Sequence, residues 1–284
     1  MKKVLACVDS IPSALHVCDY AVWAAVRLAA PLELLHVLEG HPEQAPVSDL
    51  SGSLGPGTQE ALLQQLSALD EKRSALAQHH GRELLDALAE RVRETGVTTA
   101  QSRQRHGRLV ETLVDLEPEC RLIVLGQHRL PKLSKKLHLD HHIEQAIRAV
   151  RLPVLAVPKR YRRPTSFAVA FDGSAKGRKM LEAVVSSALL QDLLCHVLMV
   201  GEESEAAASH LAWARNFLGA AGLNGRVSLV IGEPESRLMT YLKAHAVDLL
   251  VIGAYGHSRL RQLIMGSKTT TLLRTSLVPV LVLR

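Results

Sequence analysis

The chain has few aromatic side chains, and this shortage bears on its partners. Phenylalanine, tyrosine and tryptophan together make up 3% of its 284 residues. Proteins that hold single-stranded nucleic acid stack the bases on aromatic rings. The formal net charge of +6 favours polyanions in general, but the sequence offers no evident stacking platform. We therefore do not expect nucleic acid to be a partner.

The chain also lacks long apolar runs and closely spaced cysteines. No uninterrupted apolar run reaches the roughly 18 residues that a membrane-spanning helix needs, and Asp9 ends the apolar run that begins after Lys3. The four cysteines form no C-x-x-C pair, which is typical of reduced, buried thiols rather than of a disulfide framework. These absences predict a cytoplasmic protein without a membrane span.

Common catalytic motifs are absent as well. The sequence has neither a nucleophile elbow nor a zinc-protease motif. In a Walker A loop the lysine directly follows the last glycine, whereas Lys268 follows Ser267. His257 has no visible partner that would orient it as a base. We predict a binding protein with no catalytic residues.

What the chain does contain is a repeat. Each half opens with a buried-strand run that ends in an acidic residue, Asp9 or Asp172. The further matched runs are residues 32–37 with 193–200, 122–126 with 249–253, and 152–157 with 278–283. Repeated order of this kind indicates homologous units. We predict two domains, at residues 1–158 and 166–284, joined by a basic, proline-containing stretch.

Within each half, short continuous apolar runs alternate with helical patterns. This alternation is the signature of a parallel sheet with helices on both faces. The pattern predicts a doubly wound α/β fold. Ligands of such folds bind at the carboxyl ends of the strands, where the winding direction reverses, and Asp172 and Gly253 are expected to emerge there.

A glycine pattern follows the apolar run that ends at Ile252. Gly253 and Gly256 allow the backbone to turn and approach a ligand closely, and Gly266-Ser267 opens a predicted helix whose free N–H groups favour an anion. Together they predict a phosphate cradle. The alternative is that the first two glycines only turn the chain.

The spacing G-x2-G-x9-G-S in residues 253–267, with the runs 169–174 and 278–282, resembles the universal stress protein family. The resemblance implies two tandem flavodoxin-like (Rossmann-like) domains, each a doubly wound parallel sheet of five strands. It also implies ATP, or a related adenine nucleotide, bound with Mg²⁺ for a role in stress response, with at most slow hydrolysis. The implied nucleotide-binding residues are Ala170, Asp172, Val197, Gly253, Gly256, Gly266 and Ser267. Asp172 would contact the ligand or its metal ion, or alternatively cap the following helix.

The first half departs from this pattern. Arg129 stands where the second half has Gly256, and Asp140 stands opposite Gly266. Because an arginine side chain fills the space and a carboxylate repels phosphate, we expect one nucleotide site per chain. Alternatively, the first half holds another anionic or amphiphilic ligand, or a metal. The histidines that could bind such a metal are His79 and His80, and His138, His141 and His142.

The first half also carries an insertion that the second half lacks. A helical pattern runs from Thr58 to about residue 95, and we expect a break near Gly81. Leucines 84 and 88 with Val92 are predicted to pack on the sheet. An earlier stripe, Leu62, Leu66, Leu69 and Leu76, is predicted either to pack on the same sheet or to face a protein partner or the other half. The family resemblance also implies that the last strands, residues 154–157 and 280–283, pair within the chain, and a homodimer is a further possibility.

Overall fold

The structure, a computed structural model, describes residues 1–9, 11–39, 56–97, 100–127, 140–223, 225–253, 273 and 276–284. The first half contains strands β1 Lys3–Cys7, β2 Leu32–Leu38, β3 Ala100–His106, β4 Cys120–Gly126 and β5 Val154–Val157, with helices α1 Ile11–Leu28, α2 Pro56–Glu94, α3 Leu109–Leu116 and α4 Asp140–Ala149. The second half contains strands β6 Ser166–Ala170, β7 Leu194–Val200, β8 Gly225–Val230, β9 Leu249–Gly253 and β10 Val280–Leu283, with helices α5 Ala175–Val185, α6 Glu205–Ala220 and α7 Pro234–Ala244.

All of these strands form one ten-stranded sheet in the order β3-β2-β1-β4-β5-β10-β9-β6-β7-β8. Within each half the neighbouring strands are parallel. The halves meet where β5 and β10 pair antiparallel, with Leu155 opposite Leu281. The predicted fold class and the predicted pairing of the last strands are therefore confirmed. Joining the two strands also hides two sheet edges that would otherwise be open to other chains.

Helices cover both faces of the sheet because successive strand residues point to opposite sides. In β1, Val4 and Ala6 pack into one hydrophobic cluster and Leu5 into another. Val17 and Ala21 of α1 lie in the first cluster, whereas Leu113 of α3 lies in the second. This double-sided burial explains why the strands read as continuous apolar runs.

The prediction of a helix break near Gly81 is wrong. Helix α2 is continuous over 39 residues, roughly 58 Å at 1.5 Å per residue. A Cβ atom at position 81 would lie 2.5 Å from the His36 ring and 2.1 Å from the Gln104 side-chain nitrogen. The glycine therefore lets an unbroken helix lie close against β2 and β3, and this contact outweighs its low helix propensity.

The two leucine stripes of α2 have different surroundings. Leu88 and Val92 are buried and Leu84 is partly buried against the core, which confirms their predicted packing on the sheet. Leu69 and Leu76 are 62% and 54% exposed, so they pack neither on the sheet nor on the second half. In fact every residue from 64 to 77 is exposed.

The stretch between the halves is tied to both of them. The Tyr20 hydroxyl of α1 donates to the Arg160 carbonyl at 3.2 Å. Arg162 pairs with the buried Asp248 at 2.9 Å, and the Thr165 hydroxyl donates to the same carboxylate at 2.7 Å. Anchoring of this kind holds the basic stretch against the protein. None of the helices in the described ranges is both long enough and apolar enough to cross a membrane.

Candidate functional site

The ends of β6 and β9 form the edge at which a ligand was expected. These strands are adjacent and parallel, with Phe167 beside Leu249 and Val169 beside Val251. The chain winds outward from β6 through β7 and β8, then returns to the other side of β6 with β9. The winding therefore reverses between β6 and β9, and Asp172 and Gly253 emerge at neighbouring strand ends on that switch point.

Asp172 is held by the residue that caps α5. Its Oδ1 accepts hydrogen bonds from the Ser174 backbone N–H at 3.0 Å and from the Ser174 hydroxyl at 2.7 Å. The Ser174 oxygen in turn accepts from the Gly177 N–H at 3.0 Å, as an N-cap does. The helix cap is thus Ser174, and Asp172 fixes its orientation. The half-buried carboxylate remains at the edge of the sheet.

Two glycines make room for this arrangement. Gly173 has a φ of +75°, and a Cβ atom there would lie 2.3 Å from the His210 ring. A Cβ atom at Gly177 would lie 2.4 Å from Asp172 Oδ1. Because any side chain at either position would collide, these glycines allow the acidic residue to sit directly over the first turn of α5.

The glycine that ends β9, Gly253, has a packing role that its counterpart in the first half shares. A Cβ atom at Gly253 would lie 3.1 Å from the Met180 sulfur of α5. A Cβ atom at Gly126, the matching residue of the first half, would lie 3.1 Å from Val17 Cγ2 of α1. A glycine at the end of this strand therefore serves close helix packing whether or not a ligand binds beside it.

The remaining predicted residues lie at different distances from the carboxyl edge of the sheet. Ala170 is the last residue of β6 and is partly buried. Val197 lies inside β7, paired with Val169 and Val227, three residues before the strand ends at Val200. The structure thus brings Ala170, Asp172 and Gly253 together at the carboxyl edge of the sheet. Val197 lies in the same sheet but further from that edge. Gly256, Gly266 and Ser267 lie outside the described residues.

The sequence reading missed a group of rings beside the Asp172 turn. His210 of α6 covers Gly173, Trp213 stacks on Phe171 with centroids 6.0 Å apart, and the Arg178 guanidinium lies 4.4 Å from the Trp213 ring centroid. The spacing of His210, Trp213 and Phe217 at i, i+3 and i+7 places them on one helix face and could have identified the group.

The predicted histidine groups give no assembled metal site in the ranges that the structure covers. His79 lies 3.6 Å from Glu83 on the exposed face of α2, and its ring centroid is 6.5 Å from that of His80. Across the described part of the chain, no three His, Cys, Asp or Glu side chains are grouped to hold a metal ion. His138 lies outside that part, as do the side chains of His141 and His142.

Comparison with known proteins finds relatives that align with the whole chain. The family model described as "Universal stress protein family" matches residues 1–158 and 201–284. A universal stress protein from Synechocystis sp. is 34% identical over 287 aligned positions, which span 100% of both chains. A universal stress protein from Bacillus subtilis is 26% identical over 41% of this chain and 96% of its own length.

A solved structure agrees in fold. The crystal structure of a universal stress protein from Archaeoglobus fulgidus covers 99% of this chain and 96% of its own, with a TM-score of 0.73 at 18% identity. The family model and the Synechocystis relative each cover more than half of the sequence. On this evidence the chain belongs to the universal stress protein family.

Proposed function

We propose that the second half binds ATP with Mg²⁺ and that the protein acts by this binding in stress signalling. The observation that carries the proposal is the convergence of Asp172 and Gly253 at the switch point between β6 and β9. It is supported by the complete G-x2-G-x9-G-S spacing that starts at Gly253 and by membership in the family.

The residues present fit a nucleotide. Gly256 and Gly266 would offer backbone N–H groups to the phosphates without a Cβ in the way, and Ser267 would add a hydroxyl donor. The repeat aligns Gly266 with Asp140, which is the first residue of α4, so the glycine is expected to begin the matching helix. The positive end of that helix would favour phosphate charge. Asp172 would hold the metal ion or the nucleotide.

The proposal is one of binding rather than of efficient catalysis. The Asp172 carboxylate is engaged by two donors from Ser174, which suits a fixed ligand-holding group better than a mobile proton carrier. Hydrolysis, if it occurs, would be slow. A nucleotide that binds the folded state stabilises it according to its concentration, so occupancy alone could serve as a signal.

Calorimetric titration of ATP and Mg²⁺ into ligand-free full-length protein tests this function. We expect one equivalent to bind, and the variant Gly256→Arg with Gly266→Asp, which copies the first half, to lose at least about 100-fold in affinity, or ~2.7 kcal/mol. Gly219→Arg is the matched control, because a Cβ atom there meets nothing within 4 Å. If wild-type protein takes up no ATP, the assignment is wrong.

We propose a second function, docking of a partner helix, on the outer part of α2. Leu62, Leu69 and Leu76 recur every seven residues, the spacing of a coiled-coil seam. Leu66 adds to this stripe and is 42% exposed. Residues 64–77 of α2 are all exposed, so this part of the helix gains little from packing within its own chain, and an apolar partner helix would stabilise it.

Replacing Leu66, Leu69 and Leu76 by glutamine tests the docking surface. We expect the triple variant to remain folded, since all three side chains are exposed. In affinity capture with the full-length protein saturated with nucleotide, the variant should lose partners that the wild type retains. Glutamine at the exposed positions Ser67 and Ser74 is the matched control. Equal capture by wild type and the triple variant would reject this surface.

A further inference from the structure

The amino-terminal edge of the second half contains a cavity of about 720 Å³. It lies where α5 and α6 end and where β7 begins, so it is at the opposite end of the strands from Asp172 and Gly253. All of the residues that line it belong to the described part of the chain. Its volume falls in the range of small-molecule sites in proteins.

A loop that the first half lacks forms one wall of this cavity. Residues 186–193 join α5 to β7, whereas only residues 29–31 join α1 to β2. The first half nevertheless holds this loop in place. The Arg27 side chain at the end of α1 donates to the Leu189 carbonyl at 2.7 Å and also to the Gln191 carbonyl. The wall is therefore fixed by a contact between the two halves.

The floor of the cavity is apolar. Phe167, Val184, Leu190 and Leu193 contribute to it, and each of them is at most 7% exposed. An apolar ligand body placed against these side chains would leave water, which favours its binding.

The rim of the cavity offers acceptor groups and one charge. Asp192 is the charged residue of the lining, and it is exposed. The uncharged polar residues of the lining are Ser186, Ser187 and Gln191. Within the described part of the chain Asp192 has no ion-pair partner, because Arg27 donates to backbone carbonyls of the loop. Position 224, which lies outside the described residues, is an asparagine and adds no charge.

The turn that contains Asp192 gives no reason for a carboxylate at this position. Asp192 has a φ of +61°, and the Leu193 N–H closes the turn by donating to the Leu190 carbonyl at 3.3 Å. Glycine and asparagine are the usual residues at a turn position with a positive φ. Asparagine would therefore serve the turn without the charge.

The ends of two helices add partial negative charge around the same space. The residues that follow α5 and α6 line the cavity. The carboxyl end of a helix carries partial negative charge, which a lysine or arginine in the last turn commonly balances. Neither α5 nor α6 has a basic residue there, whereas α1, α2, α4 and α7 all do. A bound cation would supply the missing balance.

We propose that this cavity binds a small organic amine, with the ammonium group at Asp192 and the apolar body on the floor beside Phe167. The lining residues provide a carboxylate, hydroxyl groups and helix ends for the cation, and none of them is a lysine, arginine or histidine. The site lies at the opposite edge of the sheet from the ATP site and does not depend on it.

Three probes of equal chain length test the charge preference: hexylamine, hexanol and hexanoate. Calorimetric titration into the full-length chain is expected to show hexylamine binding at least about 10-fold tighter than hexanoate, or ~1.4 kcal/mol, with hexanol between them. Hexanoate binding as tightly as hexylamine, or no binding of hexylamine at millimolar concentration, would overturn the proposal.

Asp192→Asn removes the charge and keeps the shape of the side chain. Because asparagine suits a positive φ, the variant should fold, and its preference for hexylamine over hexanoate should drop to less than about 3-fold. Asp86→Asn, at an exposed position of α2, is the matched control and should keep the full preference. A preference that survives in Asp192→Asn would contradict the proposal.

Two tryptophan variants locate the binding. Ala188→Trp should fill the cavity and abolish hexylamine binding, whereas Ala183→Trp, at an exposed position of α5 outside the lining, should not. Equal binding by the two variants would refute the assignment to this cavity, and Asp192→Asn still decides if Ala188→Trp fails to fold.

The same titrations separate this site from the nucleotide site. The Gly256→Arg, Gly266→Asp variant should lose ATP and keep hexylamine. Loss of hexylamine in that variant would place the amine at the nucleotide site and refute the proposal.

Discussion

The two halves share a scaffold and differ at its carboxyl edge. In both, a glycine ends the strand beside the central one, β4 or β9, and packs against the first helix of that half, Gly126 on Val17 and Gly253 on Met180. The residues around the acidic position then diverge. Where the second half has Gly177 beneath Asp172, the first half has the buried Ala14, and where the second half has Gly173, the first has Ser10. The two halves therefore share the backbone at this strand end and differ in the residues around it.

The opposite, amino-terminal edge differs as well. In the first half the Lys3 ammonium lies 2.5 Å from both Glu33 and Glu119, and Arg103 lies 2.8 Å from Glu33. The repeat places Leu193 at the position of Glu33. The second half instead places its buried carboxylate at the start of β9, where Asp248 pairs with Arg162 and accepts from Thr165.

Among the variants that test this comparison, the removal of Glu33 should change the stability of the protein most. Its side chain is 1% exposed, so Glu33→Ala leaves Lys3 and Arg103 with an unbalanced charge and is expected to lower the free energy of unfolding by about 3–5 kcal/mol. Burial lowers the pKa of Lys3, but hydrogen bonds to Glu119 and Glu33 outweigh burial and raise it, which is consistent with a stabilising network. Urea unfolding measures the loss.

Glu83→Ala is the control for Glu33, since Glu83 is 62% exposed and its removal should change stability by less than about 0.5 kcal/mol. A loss below about 1 kcal/mol for Glu33→Ala would show that the network does not stabilise the first half.

Gly173→Ala should have the next largest effect on stability. It gives the second half a side chain where the first half has Ser10. The left-handed backbone and the collision with His210 are expected to cost about 2 kcal/mol together. Gly222→Ala isolates the backbone share, since Gly222 has a φ of +71° and nothing within 4 Å of an added Cβ. Equal losses for the two variants in thermal unfolding would mean that the ring contact has no energetic weight.

Asp172 and Ser174 separate ligand binding from helix capping. Ser174→Ala removes the cap of α5 and should cost about 1 kcal/mol of stability, with little change in ATP affinity. Asp172→Asn should weaken ATP and Mg²⁺ binding by about 10-fold, or ~1.4 kcal/mol. Asp9→Asn, its counterpart, should leave ATP binding unchanged. Calorimetry with each variant decides, and an unaltered affinity in Asp172→Asn would reduce that residue to a structural role.

The smallest effect concerns the pH dependence of the second half. His196 is 1% exposed, and burial, then Arg226 and His245, lower its pKa from 6.5, with the Tyr241 hydroxyl 3.1 Å from Nδ1. The unfolded chain therefore binds this proton at a higher pH than the folded chain. Stability should fall as pH drops below 6.5 and level off below the folded pKa. His196→Gln should flatten that part of the curve in urea unfolding, and an unchanged slope would contradict it.

Much of the fold could be predicted from the sequence because its signals are local and repeated. Buried strands such as residues 122–126 and 249–253 are apolar runs, and their shared order predicted the tandem sheets. The β5–β10 contact was expected from the family resemblance. The continuity of α2 could not be read from the helix alone. Gly81 is a weak helix former in isolation. Its place in the helix is explained by its close approach to His36 and Gln104, which leaves no room for a Cβ atom.

The candidate sites show the same limit. The position of Asp172 followed from the strand pattern, but its bond to Ser174 depends on a turn with a positive φ at Gly173. The Leu109 backbone N–H donates to Glu39, which lies 70 residues away along the chain. A contact between such distant residues leaves no periodic trace in a single sequence.

Hydrogen exchange of the full-length protein with and without ATP and Mg²⁺ tests the central difference between the halves most directly. We predict that saturating nucleotide protects peptides covering residues 170–174 and 253–267, and leaves those covering 7–9, 35–39 and 124–129 unchanged. Protection of the first-half peptides, or no protection at the edge formed by β6 and β9 while ATP is bound, would contradict the account.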